Sequence, residues 1–196
     1  MKSKITLIVF FLFIPYLTGC VPAVLVAGGA ATGAIIYDQR KAKVMVSDRD
    51  TTFGIQKSID HNAELRNKVN ISVATFNNVV LLVGQAPTAK LRRTAEAIAK
   101  SHPKVKMIYN EITIRKPISK MARANDSWIT TKVKTVLVST AGLKSSSLKI
   151  VTENRVVYLM GLTTRAQAKR VAEKARTIAG VKKVVKIFEY INSGKV

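Results

Sequence analysis

The chain has 196 residues, with 33 lysines and arginines against 11 acids, a formal charge of +22, and a single cysteine, Cys20. One cysteine rules out an intrachain disulfide, and with only two histidines the chain has no Cys/His set at metal-ligand spacing. So large a basic excess points to an anionic partner, either nucleic acid or a charged surface.

Lys2 and Lys4 open the chain and Ile5–Leu17 follows as a nearly unbroken apolar run. That run is too short for a membrane span, which takes about 20 apolar residues. A basic start and a short apolar stretch form the pattern of an export signal. The stretch closes in Leu17-Thr18-Gly19-Cys20, which resembles the bacterial lipobox. Residues 1–19 are therefore expected to be a lipoprotein signal peptide and Cys20 the lipidated residue. An exported chain with one cysteine has no disulfide partner for it, and lipidation accounts for it. The lipobox likeness implies three acyl chains, each buried CH₂ contributing about 0.8 kcal/mol. Val21 rather than Asp after the cysteine implies the outer membrane. Residues 1–19 hold two lysines and no acids, so the mature chain keeps a formal +20. Nucleic acid is not routinely accessible outside the cytoplasm. Anionic phospholipid, or another acidic polymer of the envelope, is the expected partner.

Residues 20–47 include the small, apolar and glycine-containing Pro22–Ile36, expected to act as a flexible tether because glycine weakens helices. From Asp48 the chain repeats itself. Val79–Lys100 (VVLLVGQAPTAKLRRTAEAIAK) runs parallel to Val156–Thr177 (VVYLMGLTTRAQAKRVAEKART), with Gly84 on Gly161 and Glu96 on Glu173 at an offset of 77. The first helices pair at 78, Asp48 with Asp126 and Ile55 with Val133, and the last strands at 76, Val105 with Val181. One-residue slips between elements are what loops absorb. The boundaries expected are 48–117 for the first domain, 118–125 for the linker, 126–192 for the second domain and 193–196 for a tail.

Each copy reads helix, strand, turn, strand, helix, strand. In the first, the helix is capped by Asp48, and Ile71, Val73 and Thr75 alternate with Ser72, Ala74 and Phe76 at the period of a strand. Asn77-Asn78 suits a tight hairpin, Val79–Val83 is the second strand, Thr88 caps a helix bearing Leu91, Ala95 and Ile98, and Lys106–Ile114 closes the copy. The second copy gives a helix capped by Asp126, then Leu148–Thr152, a turn at Glu153-Asn154, Val156–Met160, a helix from about Arg165 to Ile178 and Val184–Ile191. The second strand of each hairpin is apolar on both faces: Val80 and Leu82 against Val79, Leu81 and Val83, then Val157 and Leu159 against Val156, Tyr158 and Met160. A three-stranded sheet with two helices on one side leaves its other face bare, so each copy is expected to pack that face at least partly against its sister.

The αββαβ order, the strand ending in LVG or LMG before an alanine-rich helix, and AGVKKV before the last strand resemble the BON domain. A lipobox followed by two such copies, with VLLVGQAP and NDSWITTKV, is similar to the dual-BON outer-membrane lipoproteins over essentially the whole chain. The fold class expected is α+β: two tandem αββαβ domains, each a three-stranded sheet with two helices on one face, after a lipidated tether. The resemblance implies a non-enzymatic protein facing the periplasm and supporting envelope integrity. It further implies binding of anionic phospholipid (phosphatidylglycerol or cardiolipin) by the first helix of the second domain, and enrichment at division sites. The chain departs from the family at its hairpin turns, with Asn78 and Arg155 where glycine is frequent.

That helix contains Trp128, the only tryptophan. Projected at about 100° per residue, Ile129, Val133, Val136 and Leu137 form the core stripe. Trp128 falls on the flank with Lys132, Thr131 and Thr135 nearby. Asp50 occupies the equivalent place in the first copy, so the fold does not need tryptophan there. Two destinations remain at this stage: a membrane–water interface, which tryptophan favours, or burial beneath the linker or the first domain. Asp48–Pro117 carries +6 and Asp126–Asn192 carries +9, a difference in the same direction. Trp128, Thr131, Lys132 and Thr135 are the expected phospholipid-binding residues.

No cofactor, metal site or catalytic constellation is expected. His61 and His102 read as solvent-facing loop residues, and no nucleophile–base order or phosphate-cradling glycine loop occurs. Lys169, Arg170, Lys174 and Arg176 read as a solvated helix face, with an extension of the lipid-binding surface or a contact for a partner protein as the alternatives. The competing function class is a protein–protein adaptor whose same surface grips an envelope enzyme or assembly machine.

Overall fold

The alternation at Ile71–Thr75 becomes strand β1 (Asn70–Phe76), which pairs antiparallel with β2 (Val79–Ala86) across the Asn77-Asn78 turn. The computed structural model describes residues 32–140 and 148–191, with side chains over 43–137 and 148–191. Cys20, the signal segment and most of Pro22–Ile36 lie outside the described residues. Helix α1 (Thr32–His61) precedes β1, and α2 (Ala89–Lys100) and β3 (Met107–Ile114) follow β2. The second copy runs α3 (Lys120–Thr140), β4 (Leu148–Glu153), β5 (Val156–Thr163), α4 (Arg165–Arg176) and β6 (Lys183–Tyr190). In each sheet the second hairpin strand is central, antiparallel to the first and parallel to the third. The α+β class and the tandem αββαβ order are as the sequence predicts.

Two boundaries differ from the sequence reading. Helical backbone begins at Thr32, inside the stretch expected to be a flexible tether, and at Lys120, inside the expected linker. The runs Asp38–Lys43 and Lys120–Ala124 contain no proline or glycine, so nothing halts the helices there. Asp48 and Asp126 are consequently not helix caps. Both lie in mid-helix and are buried, at 7% and 4% exposure. The two oxygens of Asp48 accept the backbone N–H groups of Asn77 (2.7 Å) and Asn78 (2.9 Å). Those of Asp126 accept Asn154 (2.7 Å) and Arg155 (2.8 Å). Each first helix thus clamps the hairpin turn of its own copy. The second turn is Asn154-Arg155, one residue beyond the expected place. All four turn residues have positive φ, as a two-residue hairpin matching strand twist requires.

Thr88 does cap α2, accepting from Leu91 N, and Thr164 caps α4 in a reciprocal box with Gln167. β2 continues through Gly84 rather than ending there. Its φ of +127° and a would-be Cβ 1.9 Å from the Asn70 carbonyl leave room for glycine alone.

The alternation along β2 and β5 sorts into three cores. Val80 and Leu82 pack with Ile55, Ile59, Ala95 and Ala99 of α1 and α2. Val157 and Leu159 pack with Ile129, Val133, Leu137, Val171 and Ala175 of α3 and α4. The opposite faces meet each other: Leu81, Val83 and Ala74 of the first sheet pack against Tyr158, Met160 and Ile187 of the second. The bare face of each copy is covered by its sister, as the doubly apolar strands require. From Gln39 onward the chain is one unit, layered helices, sheet, sheet, helices. Burial pushes the Tyr158 hydroxyl up to about 12.

Polar groups stitch the same seam. Gln85, fully buried, accepts from Asn70 Nδ2 and Ile118 N (both 3.1 Å) and donates to Glu153 Oε1 (2.6 Å). Lys149 Nζ donates to the Thr75 carbonyl at 3.2 Å and Asn77 Nδ2 to Glu189 Oε2 at 2.7 Å. Burial draws the Lys149 ammonium below its ordinary value.

Candidate functional site

Helix α3 presents Ile129, Val133 and Leu137 to the core, all at most 1% exposed, with Val136 half-buried beside them. Trp128 lies off that stripe and is 61% exposed. Of the two destinations left open by the sequence, burial under the first domain is therefore not the one observed. Lys132, one turn on, places its ammonium 5.9 Å from the centre of the Trp128 ring and donates to the Ala179 carbonyl at 2.7 Å. A cation over an indole face is attracted by the ring quadrupole. Thr131 and Thr135 are exposed on the same side of the helix, Thr131 donating to the Ser127 carbonyl at 3.1 Å. The four residues expected from the sequence thus form one outward surface.

The loop that holds Lys132 also holds a residue the sequence reading left apart. Ala179-Gly180 joins α4 to β6, and Gly180 (φ +101°) brings it against α3: an added Cβ would sit 3.0 Å from Ile129 Cδ1 and 4.0 Å from Lys132 Nζ. Arg155 Nε donates to the Gly180 carbonyl at 2.9 Å, and Lys182 N to the Arg155 carbonyl at 2.8 Å. The hairpin tip, the α4–β6 loop and the middle turns of α3 therefore meet beside the tryptophan. Arg155 is exposed. In the sequence it is 27 positions from Trp128, and only the offset of 77 that aligns it with Asn78 hints at its place.

The equivalent surface of the first copy is built differently. Asp50, Gly54 and Asn78 stand where the second copy has Trp128, Lys132 and Arg155. The backbone framework is shared, since Lys106 N donates to the Asn78 carbonyl (2.9 Å) as Lys182 N does to Arg155. His102 fills the gap at Gly54, where a Cβ would lie 2.9 Å from its Nε2. It is half-buried with Nδ1 out of reach of any partner, so it is not the solvent-facing residue expected; His61 is exposed at the end of α1. Lys169, Arg170, Lys174 and Arg176 are exposed along α4. Among the described residues, no group of three or more His, Cys, Asp or Glu is placed to hold a metal.

Two clamped-hairpin αββαβ units, sheet against sheet, define a class of protein, and the chain matches the BON domain over residues 47–116 and 125–192. It belongs to the BON-domain family, in a dual-domain form. It is 34% identical over 177 residues to the outer membrane lipoprotein DolP of Haemophilus influenzae, covering 90% of this chain and 91% of that one. It is 36% identical to a 21 kDa hemolysin of Actinobacillus pleuropneumoniae, over 79% of each. Among solved structures it is similar to CdsD, a type III secretion structural protein of Chlamydia trachomatis. That likeness has 12% identity and a TM-score of 0.31 over 71% of this chain and 94% of that one, too slight to bear on the fold.

Proposed function

We propose that this is a non-enzymatic lipoprotein of the outer membrane that binds anionic phospholipid through its second BON domain and supports envelope integrity. The carrying observation is an exposed Trp128 with the Lys132 ammonium 5.9 Å from its ring, on a surface the core does not use. Tryptophan favours the membrane–water interface, where its apolar body and polar N–H are both accommodated. Each nearby lysine or arginine contributes about 1 kcal/mol at an anionic surface. Attachment is at two points: acyl chains on Cys20 hold the chain at the periplasmic leaflet, and α3 docks on phosphatidylglycerol or cardiolipin headgroups. Tethering raises the effective concentration of the docking surface, so weak headgroup affinity suffices. Enrichment where such lipid accumulates, as at division sites, follows from the same preference.

The test is sedimentation of residues 21–196 with vesicles of graded phosphatidylglycerol content, wild type against Trp128→Ala, both checked by thermal melts. Wild type pellets with anionic vesicles, less as salt rises, and the folded variant stays in solution. Equal pelleting of both would move the site elsewhere on the basic surface. Pelleting of neither would favour the adaptor reading, with an envelope protein as partner.

A further inference from the structure

The two copies share a backbone plan, so what the fold requires of both cancels on comparison and what remains is peculiar to one. At the surface where the first helix, the hairpin tip and the last loop meet, the first copy has Asp50, Gly54 and Asn78, and the second has Trp128, Lys132 and Arg155. The change runs from one acid to an aromatic and two cations. The third position is the least expected. Asn78 and Arg155 both sit at positive φ, 64° and 65°. Asparagine visits that region with little difficulty, whereas a long side chain with a Cβ is strained there. Backbone strain retained where an unstrained residue serves the same turn in the sister copy points to a task for the side chain. The geometry locates the task. The Arg155 backbone is fastened by Asp126 and by Lys182 N, and its Nε is fastened on the Gly180 carbonyl, next to the carbonyl that holds Lys132.

We propose that Arg155 is an anionic-headgroup contact of the second domain, pre-positioned by the hairpin clamp to meet lipid phosphate alongside Lys132 while Trp128 enters the interface. This rests on the lipid-binding reading above and extends it to a turn 27 residues away. A guanidinium pairs with phosphate oxygens through a planar fork of donors, and one edge held by the protein leaves the geometry set before lipid arrives.

Trp128 is the only tryptophan, so its emission reports this surface alone. The full lipidated chain is reconstituted in proteoliposomes of graded phosphatidylglycerol fraction, and the blue shift of emission is followed against lipid composition and salt for wild type, Arg155→Asn and Arg155→Lys. For Arg155→Asn the anionic-lipid response weakens about fivefold, the effect of one cation at such a surface. Its salt dependence becomes shallower, and its melting temperature holds or rises, because asparagine suits the turn. Arg155→Lys recovers most of the response. A wild-type response that Arg155→Asn leaves unaltered overturns the proposal while sparing the lipid reading. So does an Arg155→Lys variant as weak as Arg155→Asn at wild-type melting temperature, since charge would then not be the cause. A melting temperature that falls in Arg155→Asn makes the side chain structural and also overturns it. If wild-type emission ignores anionic lipid altogether, the lipid reading itself fails.

Discussion

Asp48 and Asp126 illustrate how one residue type supports two local readings. An aspartate just before an apolar-periodic run looks like a helix cap, because its carboxylate can accept the orphan N–H groups of a first turn. Here the same acceptor capacity is spent 28 to 30 residues away, on the paired N–H groups of a hairpin turn. Those groups point inward and would be unpartnered without it. Asp126→Ala should therefore cost about 3 kcal/mol, since hydrogen bonds to a charged acceptor are worth about 1.5–3 kcal/mol each and buried orphans are penalised. Chemical denaturation checks this. A loss below about 1 kcal/mol would mean water replaces the carboxylate without difficulty. At the same scale, the outward position of Trp128 was legible only in part: its angle from the core stripe was readable, whereas what lay opposite that flank was not.

Elements carry the second lesson, through strands that are apolar on both faces. β2 and β5 read as central and doubly covered from composition alone, and the structure covers them with helices on one side and the sister sheet on the other. The polar ends of their partners were not legible. Glu153, at the end of β4, receives Gln85 across the seam, and burial holds its carboxyl above the ordinary 4.5 despite that hydrogen bond, with Asp126 adding to the rise. A raised carboxyl favours the neutral form in the fold. Its contribution is complete below the unfolded value and is lost as pH rises through the folded one. Glu153→Gln keeps an oxygen for Gln85 and removes the titration. Relative to wild type, its melting temperature should be similar at pH 4 and higher at pH 7; a variant less stable at pH 7 would show that the charge is used. Glu96 has the opposite sign, lowered by Lys100 and Asn110, so its contribution fades as pH falls.

For the whole molecule, the shared sheet–sheet core makes the two copies one folding unit from Gln39 onward. A second domain produced alone, residues 118–192, would expose Tyr158, Met160 and Ile187 together. Burying each such side chain is worth about 1.5–3 kcal/mol. The isolated domain should melt lower than the pair, bind a hydrophobic dye and self-associate; a monomer as stable as the pair would make the seam a loose contact. The same layering puts α3 on the outer side of the second sheet; Arg123 in its first turn donates to Asn70 of the first domain at 2.9 Å, whereas Trp128 further along is exposed. Docking through Trp128 thus leaves the seam undisturbed.

Period, repeat offset and strand composition are local properties of a chain, so the αββαβ order, the duplication and the doubly covered strands could be read before any coordinates. The lipobox-like Leu17–Cys20 and the basic excess were readable for the same reason. What tertiary structure alone decided are pairings between distant residues: aspartates closing turns, Gln85 joining both domains to the linker, His102 filling the gap at Gly54, and Arg155 arriving beside Lys132. Each depends on where the chain returns after a hairpin or a crossover. A hydrogen-bond acceptor or a cation has no periodicity that says which returning segment it will meet.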